Sequence, residues 1–478
     1  MWLGKQKQMS PKSNSPAQMA VILANEIPWS RWFEPARAEV GTLPVLLRTI
    51  LGVRALHPQR IIVVVNPVTG PEIRRCLFAT RRFPSDVEWM VAPVGTTISA
   101  IIRSVTKRSS DARVLIVAGD RTYQPGLHRM VSEWDGCTGA LELATGYKPA
   151  GLFAFTHDTV LELAADQEAA VVTVRDLHLW IAGQSIADGP VRVDLRFVGE
   201  DSWQQISMPQ DCDAAELKLN RWLVKSTDGV FAKMNRRVSI PISRQLIKFP
   251  ITPNMISLFT LCVSFAAGVL YTWGGYWMTL LGAILSLWAS ILDGCDGEVA
   301  RLKLLSSDFG CWLDSACDYL YYVFIFAGMA IGLERSSGNR AYLAWGAALL
   351  FGAVLTILIA WFERSRLSGK HPEQFLAIWQ KQAESRSSNP LLYLGRKCEF
   401  IIRRCFLPYA LLAFALLNLT WLSLFMSAVG ANIAWIVSLY SRFSFSTKSR
   451  AMVKTSVGSE TKPLAVRTER VSTELVCR

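Results

Sequence analysis

Ile291-Leu-Asp293-Gly-Cys-Asp296-Gly297-Glu-Val-Ala300-Arg301, followed after eight residues by Gly310-Cys-Trp-Leu-Asp314-Ser-Ala-Cys-Asp318, is the stretch on which the reading of this chain turns. On a helix, positions 293, 296, 297, 300 and 301 share one face, while 310, 314 and 318 form a second stripe. A connection of about a dozen residues between antiparallel helices would bring the two stripes face to face. Ionised carboxylates at membrane depth are expensive and are retained for a purpose. Four like charges in one pocket cannot all stay ionised without a counter-charge. Hard carboxylate oxygens suit Mg²⁺ or Mn²⁺, so Asp293, Asp296, Asp314 and Asp318 are expected to hold metal, with two ions. Gly297 leaves room for a ligand beside the helix, Ala300 is small on the same face, and Gly310 opens the partner helix. Arg301 is suited to pair with a phosphate. A metal-bridged pyrophosphate fits such a site, and one carboxylate is placed to deprotonate a hydroxyl.

Long apolar runs flank this stretch. No charged residue occurs from Phe249 to Leu292. That run is too long for one membrane span and is divided by Gly274-Gly275, which predicts two transmembrane helices and a tight turn. A third span is expected from about Leu313 to Leu333 and a fourth from Ala341 to Phe362. The uncharged run from Cys405 to Ser441 predicts two shorter spans turning near Ala428 to Asn432, for six in all. Basic residues cluster on one side: Arg301 and Lys303, then Arg364, Arg366, Lys370, Lys381, Arg386, Arg396 and Lys397, then Arg442, Lys448, Arg450 and Lys454. The positive-inside rule then predicts a multi-pass protein of the cell inner (cytoplasmic) membrane, with both termini and the aspartate end in the cytoplasm. The basic connection between the fourth and fifth spans is a candidate holder of a phosphorylated substrate.

The formal net charge of +13 fits nucleic acid, anionic substrates or an anionic membrane surface. Lys and Arg flank the apolar runs, which favours membrane lipids as partners and no nucleic acid. Ten Cys without a C-x-x-C pair read as free buried thiols. No apolar segment of signal-peptide type opens the chain, so the first half is expected in the cytoplasm.

Upstream of the apolar runs the pattern changes. Ala20–Ala24, Arg60–Val65, Val87–Val91 and Arg113–Val117 read as buried strands, with helices predicted at Pro44–Leu56 and Thr97–Thr106. Alternation of this kind implies a mostly parallel sheet covered on both faces, with ligands beyond the strands' carboxyl ends, where Asn25 and Gly119-Asp120 fall. Gly139 to Phe197 is expected to complete the domain with short strands and turns. Ala214–Val224 reads as a helix. Val238–Lys248 reads as a short amphipathic helix lying in the membrane interface, with Arg244 and Lys248 near lipid phosphates. The expected organisation is a disordered tail (1–18), an α/β nucleotidyltransferase-like (Rossmann-like) domain (19–224), a linker and juxtamembrane helix (225–250), an all-α polytopic membrane domain with six transmembrane helices (251–442) and a disordered cytoplasmic tail (443–478).

The acid-bearing stretch closely resembles the signature of the CDP-alcohol phosphotransferase (CDP-alcohol phosphatidyltransferase) family, D-x-x-D-G-x-x-A-R, eight residues, G-x-x-x-D-x-x-x-D. Asp293, Asp296, Gly297, Ala300, Arg301, Gly310, Asp314 and Asp318 occupy its fixed positions. The likeness runs from about Lys225 to Ser441. It implies that Asp293, Asp296 and Asp314 hold metal with the pyrophosphate of a CDP-linked donor. Asp318 would be a ligand and the base for the hydroxyl acceptor, making Asp314 and Asp318 the catalytic pair. Gly297, Ala300 and Arg301 would border the CMP half, with Asn254 and Gly310 beside them. The family reaction releases CMP, and dimers are usual in it.

The first half is similar to sugar-phosphate nucleotidyltransferases, in particular cytidylyltransferases, through Ala20–Ala24, Leu43–Ile50 and Val117-Ala118-Gly119-Asp120. Asp120 would match that family's metal-binding aspartate, and Asp211 or Asp213 a second one. The glycine-rich phosphate loop is replaced by Asn25-Glu26-Ile27-Pro28-Trp29-Ser30-Arg31, and Leu43 stands where the family's lysine precedes Pro44. The fold is therefore expected to persist while nucleotidyl transfer does not. A front domain without that activity supplies no soluble donor, so CDP-diacylglycerol and phospholipid synthesis are the expected donor and role. The alternative is a soluble CDP-alcohol such as CDP-inositol with an inositol phosphate or lipid acceptor. A transporter would need charges on several spans; a scaffold role for the front domain is compatible with catalysis behind it.

Overall fold

The computed structural model describes residues 19–26, 33–80, 82–106, 113–132, 134, 139–145, 148–166, 171–186, 193–224, 228–367, 406–433 and 435–436. The chain divides into two compact units. One takes everything through Val263 together with Leu287–Tyr319, and so holds the α/β domain and the aspartate-bearing helix ends. The other takes Ser264–Ser286 and most of the chain from Leu320 onward.

The α/β domain runs β1 (Met19–Ala24), β2 (Glu39–Val40), β3 (Leu43–Pro44), α1 (Val45–Arg54), β4 (Arg60–Val65), α2 (Gly70–Ala79), β5 (Val87–Val91), α3 (Ile98–Thr106), β6 (Val114–Ala118), β7 (Arg121–Tyr123) and α4 (Leu127–Ser132). It continues with β8 (Ala140–Thr145), β9 (Lys148–Phe155), α5 (His157–Ala165), α6 (Val174–Ile186), β10 (Val193–Phe197), β11 (Trp203–Gln205) and α7 (Pro209–Leu223). Seven strands form one sheet in the order β10-β8-β9-β6-β1-β4-β5, parallel except for β9. The central strands are buried on both faces, which is why β1, β4 and β6 are nearly continuous Ala, Val, Ile and Leu. One core cluster lies under α1 and α2; a second lies under α3, α5 and α6.

Several expectations need correction here. Gly139 to Phe197 contains two helices, α5 and α6, and not only strands and turns. Val160 and Leu163 bury one face of α5, as do Leu177 and Ile181 for α6. The helix α2 was not anticipated; just before it the Asn66 side chain accepts the N–H groups of Val68 and Thr69, forming the turn that leads from β4 into the helix. The juxtamembrane helix is longer than expected: α8 spans Val230–Leu246 and includes Asn235, Arg236 and Arg237.

Among the described residues four helices are long and apolar enough to cross a membrane: α9 (Pro253–Trp273), α10 (Tyr276–Lys303), α11 (Asp308–Ser337) and α12 (Ala341–Leu367). Gly274 and Gly275 both take left-handed backbone angles, φ 68° and 77°, in the expected turn between α9 and α10. The expected count of six spans is not met among the described residues. Two further apolar helices, α13 (Leu407–Leu416) and α14 (Thr420–Ile433), are, over the described residues, shorter than the roughly 20 residues a bilayer core requires. Their turn falls at Leu417–Leu419, not at Ala428–Asn432. Asn418 has φ 56°, and the Leu419 N–H reaches back to the Phe414 carbonyl at 2.8 Å, so an Asn cap ends α13 inside the apolar run. The basic residues from Lys370 to Lys397, the two tails, and Ile27–Arg31 lie outside the described residues.

Candidate active site

The last turns of α10 and the first turns of α11 carry the acids. Only Leu304–Ser307 separates the two helices, a tighter connection than the dozen residues expected, because α11 begins at Asp308 and not near Leu313. Ser307 starts α11: its hydroxyl accepts the Gly310 N–H at 3.0 Å and its carbonyl the Cys311 N–H at 3.0 Å. The short turn brings Asp293, Asp296 and Asp314 together, with carboxylate oxygens all within 4.8 Å of one another. Two unit charges at that distance repel by about 3 kcal/mol at the effective dielectric of a protein site. Three such oxygens need a counter-charge, and an all-carboxylate donor set is the chemistry a hard divalent ion prefers. These three residues fit Mg²⁺ or Mn²⁺.

Asp296 is the most enclosed of the three, 6% exposed. The Ser257 hydroxyl donates to its Oδ2 at 2.6 Å, and the Gly297 N–H donates to its Oδ1. Asp318 stands outside the three-carboxylate group, four residues beyond Asp314 and about 6 Å further along α11. Asn254, in the first turn of α9, lies beside Gly310: a Cβ added there would meet its Oδ1 at 3.3 Å. A Cβ on Gly297 would meet the Arg301 guanidinium at 3.4 Å, so Arg301 folds back over that glycine. Its Nε and Nη2 are buried and have no hydrogen-bond partner among the described residues. A buried guanidinium with donors unused is poised for an anion. Ala300 is half-buried on the same face.

Sequence reasoning missed the support behind this face. Glu298, on the reverse side of α10, is wholly buried. It accepts from Arg236 Nη1 at 2.6 Å, Ser239 Oγ at 2.6 Å and Ser243 Oγ at 2.7 Å, all from α8. Arg236 also reaches Asp228 and the Gly294 carbonyl. Burial alone would lower the Arg236 pKa, but its bonds and charge pairing with Glu298 and Asp228 outweigh that and raise it. The signal was present: Arg236, Ser239 and Ser243 are spaced three and four apart, and Glu298 is an acid off the aspartate stripe. Ser257, three residues past Asn254, was likewise overlooked.

In the α/β domain, Asp120 lies at the end of β6 as expected. Its oxygens are taken by Gln205 Nε2 at 2.9 Å and by Arg121 Nε at 3.3 Å. Asp211 accepts the N–H groups of Ser207 and Met208 and caps α7. Asn25 is buried, and Glu26 accepts the Gly95 N–H at 2.7 Å.

Residues 250–438 match the family model described as CDP-alcohol phosphatidyltransferase. The helical half is a domain of that family. Two relatives, each described as a bifunctional IPC transferase and DIPP synthase, come from Aquifex aeolicus (strain VF5) and from Rubrobacter xylanophilus (strain DSM 9941 / JCM 11954 / NBRC 16129 / PRD-1). They are 34% and 33% identical over 180 residues, which is 37% of this chain and 39% of each relative. The chain thus aligns with about two fifths of the length of the curated relatives it matches. Among solved structures, a 4-diphosphocytidyl-2C-methyl-D-erythritol synthase from Anaerococcus prevotii DSM 20548 is 18% identical, with a TM-score of 0.33, covering 42% of this chain and 98% of that one.

Proposed function

We propose that this CDP-alcohol phosphatidyltransferase domain moves a substituted phosphate group from a CDP-alcohol to a hydroxyl acceptor and releases CMP. The observation that carries the proposal is the gathering of one carboxylate oxygen each from Asp293, Asp296 and Asp314 within 4.8 Å, together with a buried guanidinium, Arg301, whose Nε and Nη2 have no hydrogen-bond partner among the described residues. The donor we favour is a soluble CDP-alcohol such as CDP-inositol, with an inositol phosphate or lipid acceptor. This replaces the expected CDP-diacylglycerol, because the relatives matched in this domain carry the DIPP synthase name.

In this reading Asp293, Asp296 and Asp314 hold the divalent ions, which when bound offset the negative charge that builds on the phosphates. Arg301 takes a phosphate oxygen of the CMP half, over the space left by Gly297 and Ala300. Asn254 and Gly310 border the same pocket from α9 and α11. Asp318 takes the proton of the acceptor hydroxyl, whose oxygen then bonds to the phosphorus next to the donor's alcohol. The bond from that phosphorus to the bridging oxygen breaks, and CMP leaves with the oxygen. Helix ends carrying Arg301 and Lys303 favour the cytoplasmic face for this site. The front domain we read as a nucleotidyltransferase-like fold without transfer chemistry of its own.

Purified full-length protein with Mg²⁺ and an inositol phosphate, given CDP-inositol or CDP-diacylglycerol, tests the proposal by CMP release and product mass. CDP-inositol should be consumed and give a phosphodiester. Consumption of CDP-diacylglycerol alone would return the assignment to phospholipid synthesis. Asp318→Asn should lower kcat by about 10³-fold with the Mg²⁺ midpoint retained, as expected for a lost base; full activity would remove Asp318 from that role.

A further inference from the structure

The end of α10 is held by the α/β domain through backbone atoms. Arg48, on α1 and 6% exposed, donates from Nη2 to the Leu302 carbonyl at 3.0 Å and to the Val40 carbonyl at 2.8 Å. Arg82, in the loop before β5, donates to the carbonyls of Lys303 and Leu304. These carbonyls belong to the helix end, where intrahelical partners run out. Two guanidinium groups also meet the negative end of the α10 dipole. Burial, and next the charge of Arg82, pull the Arg48 pKa down to about 10, which leaves it charged at neutral pH.

The residue after the helix is strained. Leu304 has φ 52°, in the left-handed region where a helix normally ends on glycine, and the Leu305 N–H closes back on the Ala300 carbonyl at 2.8 Å. Nothing local favours leucine there. Its side chain packs against the α/β core cluster under α1 and α2, and Leu302 is buried in a further cluster with Val40, Val45 and Leu219. Lys303 donates to the carbonyls of Phe249 and Ile251 and so ties the same turn to the segment leading into Asn254 and Ser257. With four residues between α10 and α11, this turn cannot shift without moving Asp314 against Asp293 and Asp296.

We propose that the α/β domain is a positioning element of the transfer site: Arg48, Arg82 and the seat of Leu304 fix the turn that sets Asp293 and Asp296 against Asp314. The inference rests on the reaction proposed above. It gives the front domain a task that requires neither a phosphate loop nor a nucleotide. Arg48 and Arg82 are positioning residues, since neither is among the groups assigned to substrate or metal.

The test uses full-length protein in detergent with CDP-inositol or CDP-diacylglycerol as donor, an inositol phosphate as acceptor, and Mg²⁺ titrated. Arg82→Ala, at a half-buried position, should raise the Mg²⁺ concentration for half activity by about tenfold, the scale of losing an outer support of a metal site. Donor KM should stay within about twofold, and Arg82→Lys should recover part of the midpoint, because it keeps the cation without the guanidinium fork that reaches both carbonyls. Arg48→Met should act in the same direction. Without metal, amide exchange across 298–305 should speed up in both variants and not in Arg60→Ala, a surface control in the same domain. A variant that loses only amplitude, with Mg²⁺ midpoint and exchange unchanged, overturns the positioning role. Wild-type protein that releases no CMP from either donor overturns the reaction, and this inference with it.

Discussion

At the end of β6, Asp120 gives one oxygen to Gln205 and the other to Arg121, whose guanidinium also lies 4.9 Å from the Trp203 ring. At the end of α10, Asp296 receives a serine hydroxyl and a neighbouring amide, and its nearest charges are two further carboxylates. Both acids are buried at the end of a secondary element. In the α/β domain the protein supplies the counter-charge itself. At the end of α10 it gathers three carboxylates, the donor set we propose for a divalent ion. A buried acid therefore marks a site by how far the chain has already answered it, not by burial alone.

The comparison breaks most visibly at the membrane site. Asp296→Asn removes one of three close ligands and should cut transfer by about 10³-fold or more, or about 4 kcal/mol in transition-state terms. A raised Mg²⁺ midpoint with preserved unfolding temperature would place the loss at the metal. Retention of more than a tenth of the activity would mean that Asp296 is as fully answered as Asp120.

Glu298 sharpens the contrast from inside α10. It is two residues from Asp296 and even more buried, yet three donors from α8 satisfy it. Glu298→Ala leaves Arg236 with Asp228 and the Gly294 carbonyl and should cost about 3–5 kcal/mol of stability, the range for breaking a buried ion pair. Thermal unfolding in detergent measures this. Glu298→Gln, which keeps one oxygen to accept from a serine and turns an NH2 group to the other serine's oxygen, should cost less. An unchanged unfolding temperature in Glu298→Ala would mean that α8 is not fixed by this network.

Much of both regions was legible beforehand, for physical reasons. Strands such as Arg60–Val65 are buried on both faces and carry an unbroken apolar signal, and Val87–Val91 is bounded as read. The aspartate stripes were legible because helical spacing is rigid, so Asp293, Asp296 and Asp314 could meet only in one way. Features set by tertiary contacts were not legible. Leu304 adopts a backbone that leucine disfavours because the α/β core seats its side chain, and Arg48 gives no local sign that it will cap a helix more than 250 residues away. The Asn418 cap was readable and was overlooked, since one polar residue in an apolar run looks incidental.

Titration gives a smaller effect, confined to the α/β domain. His128, 8% exposed, packs edge-on to Tyr123, and its Nε2 has no partner among the described residues. Burial lowers its pKa from 6.5 to about 4. The folded state therefore favours the neutral ring, while the unfolded chain takes up a proton near pH 6.5. Stability is retained above pH 6.5 and lost as pH falls toward 4, by about 3 kcal/mol across that window. His128→Leu should flatten this part of the pH profile of α/β unfolding. An unchanged slope would assign the acid sensitivity to other groups.

Asp120→Asn is the smallest predicted effect on transfer and the most direct challenge to the comparison. Asparagine keeps an oxygen for Gln205 but no longer neutralises Arg121, which retains the Pro149 carbonyl and the Trp203 ring. The α/β domain should lose about 1–2 kcal/mol of stability. Transfer and its Mg²⁺ midpoint should stay within about twofold, because a neutralised acid holds no metal for the reaction and the contacts from Arg48 and Arg82 to α10 are untouched. A tenfold fall in transfer at full folding would mean that the strand-end acid joins the chemistry, and that Arg121 is a gate over a second site and not its permanent counter-charge.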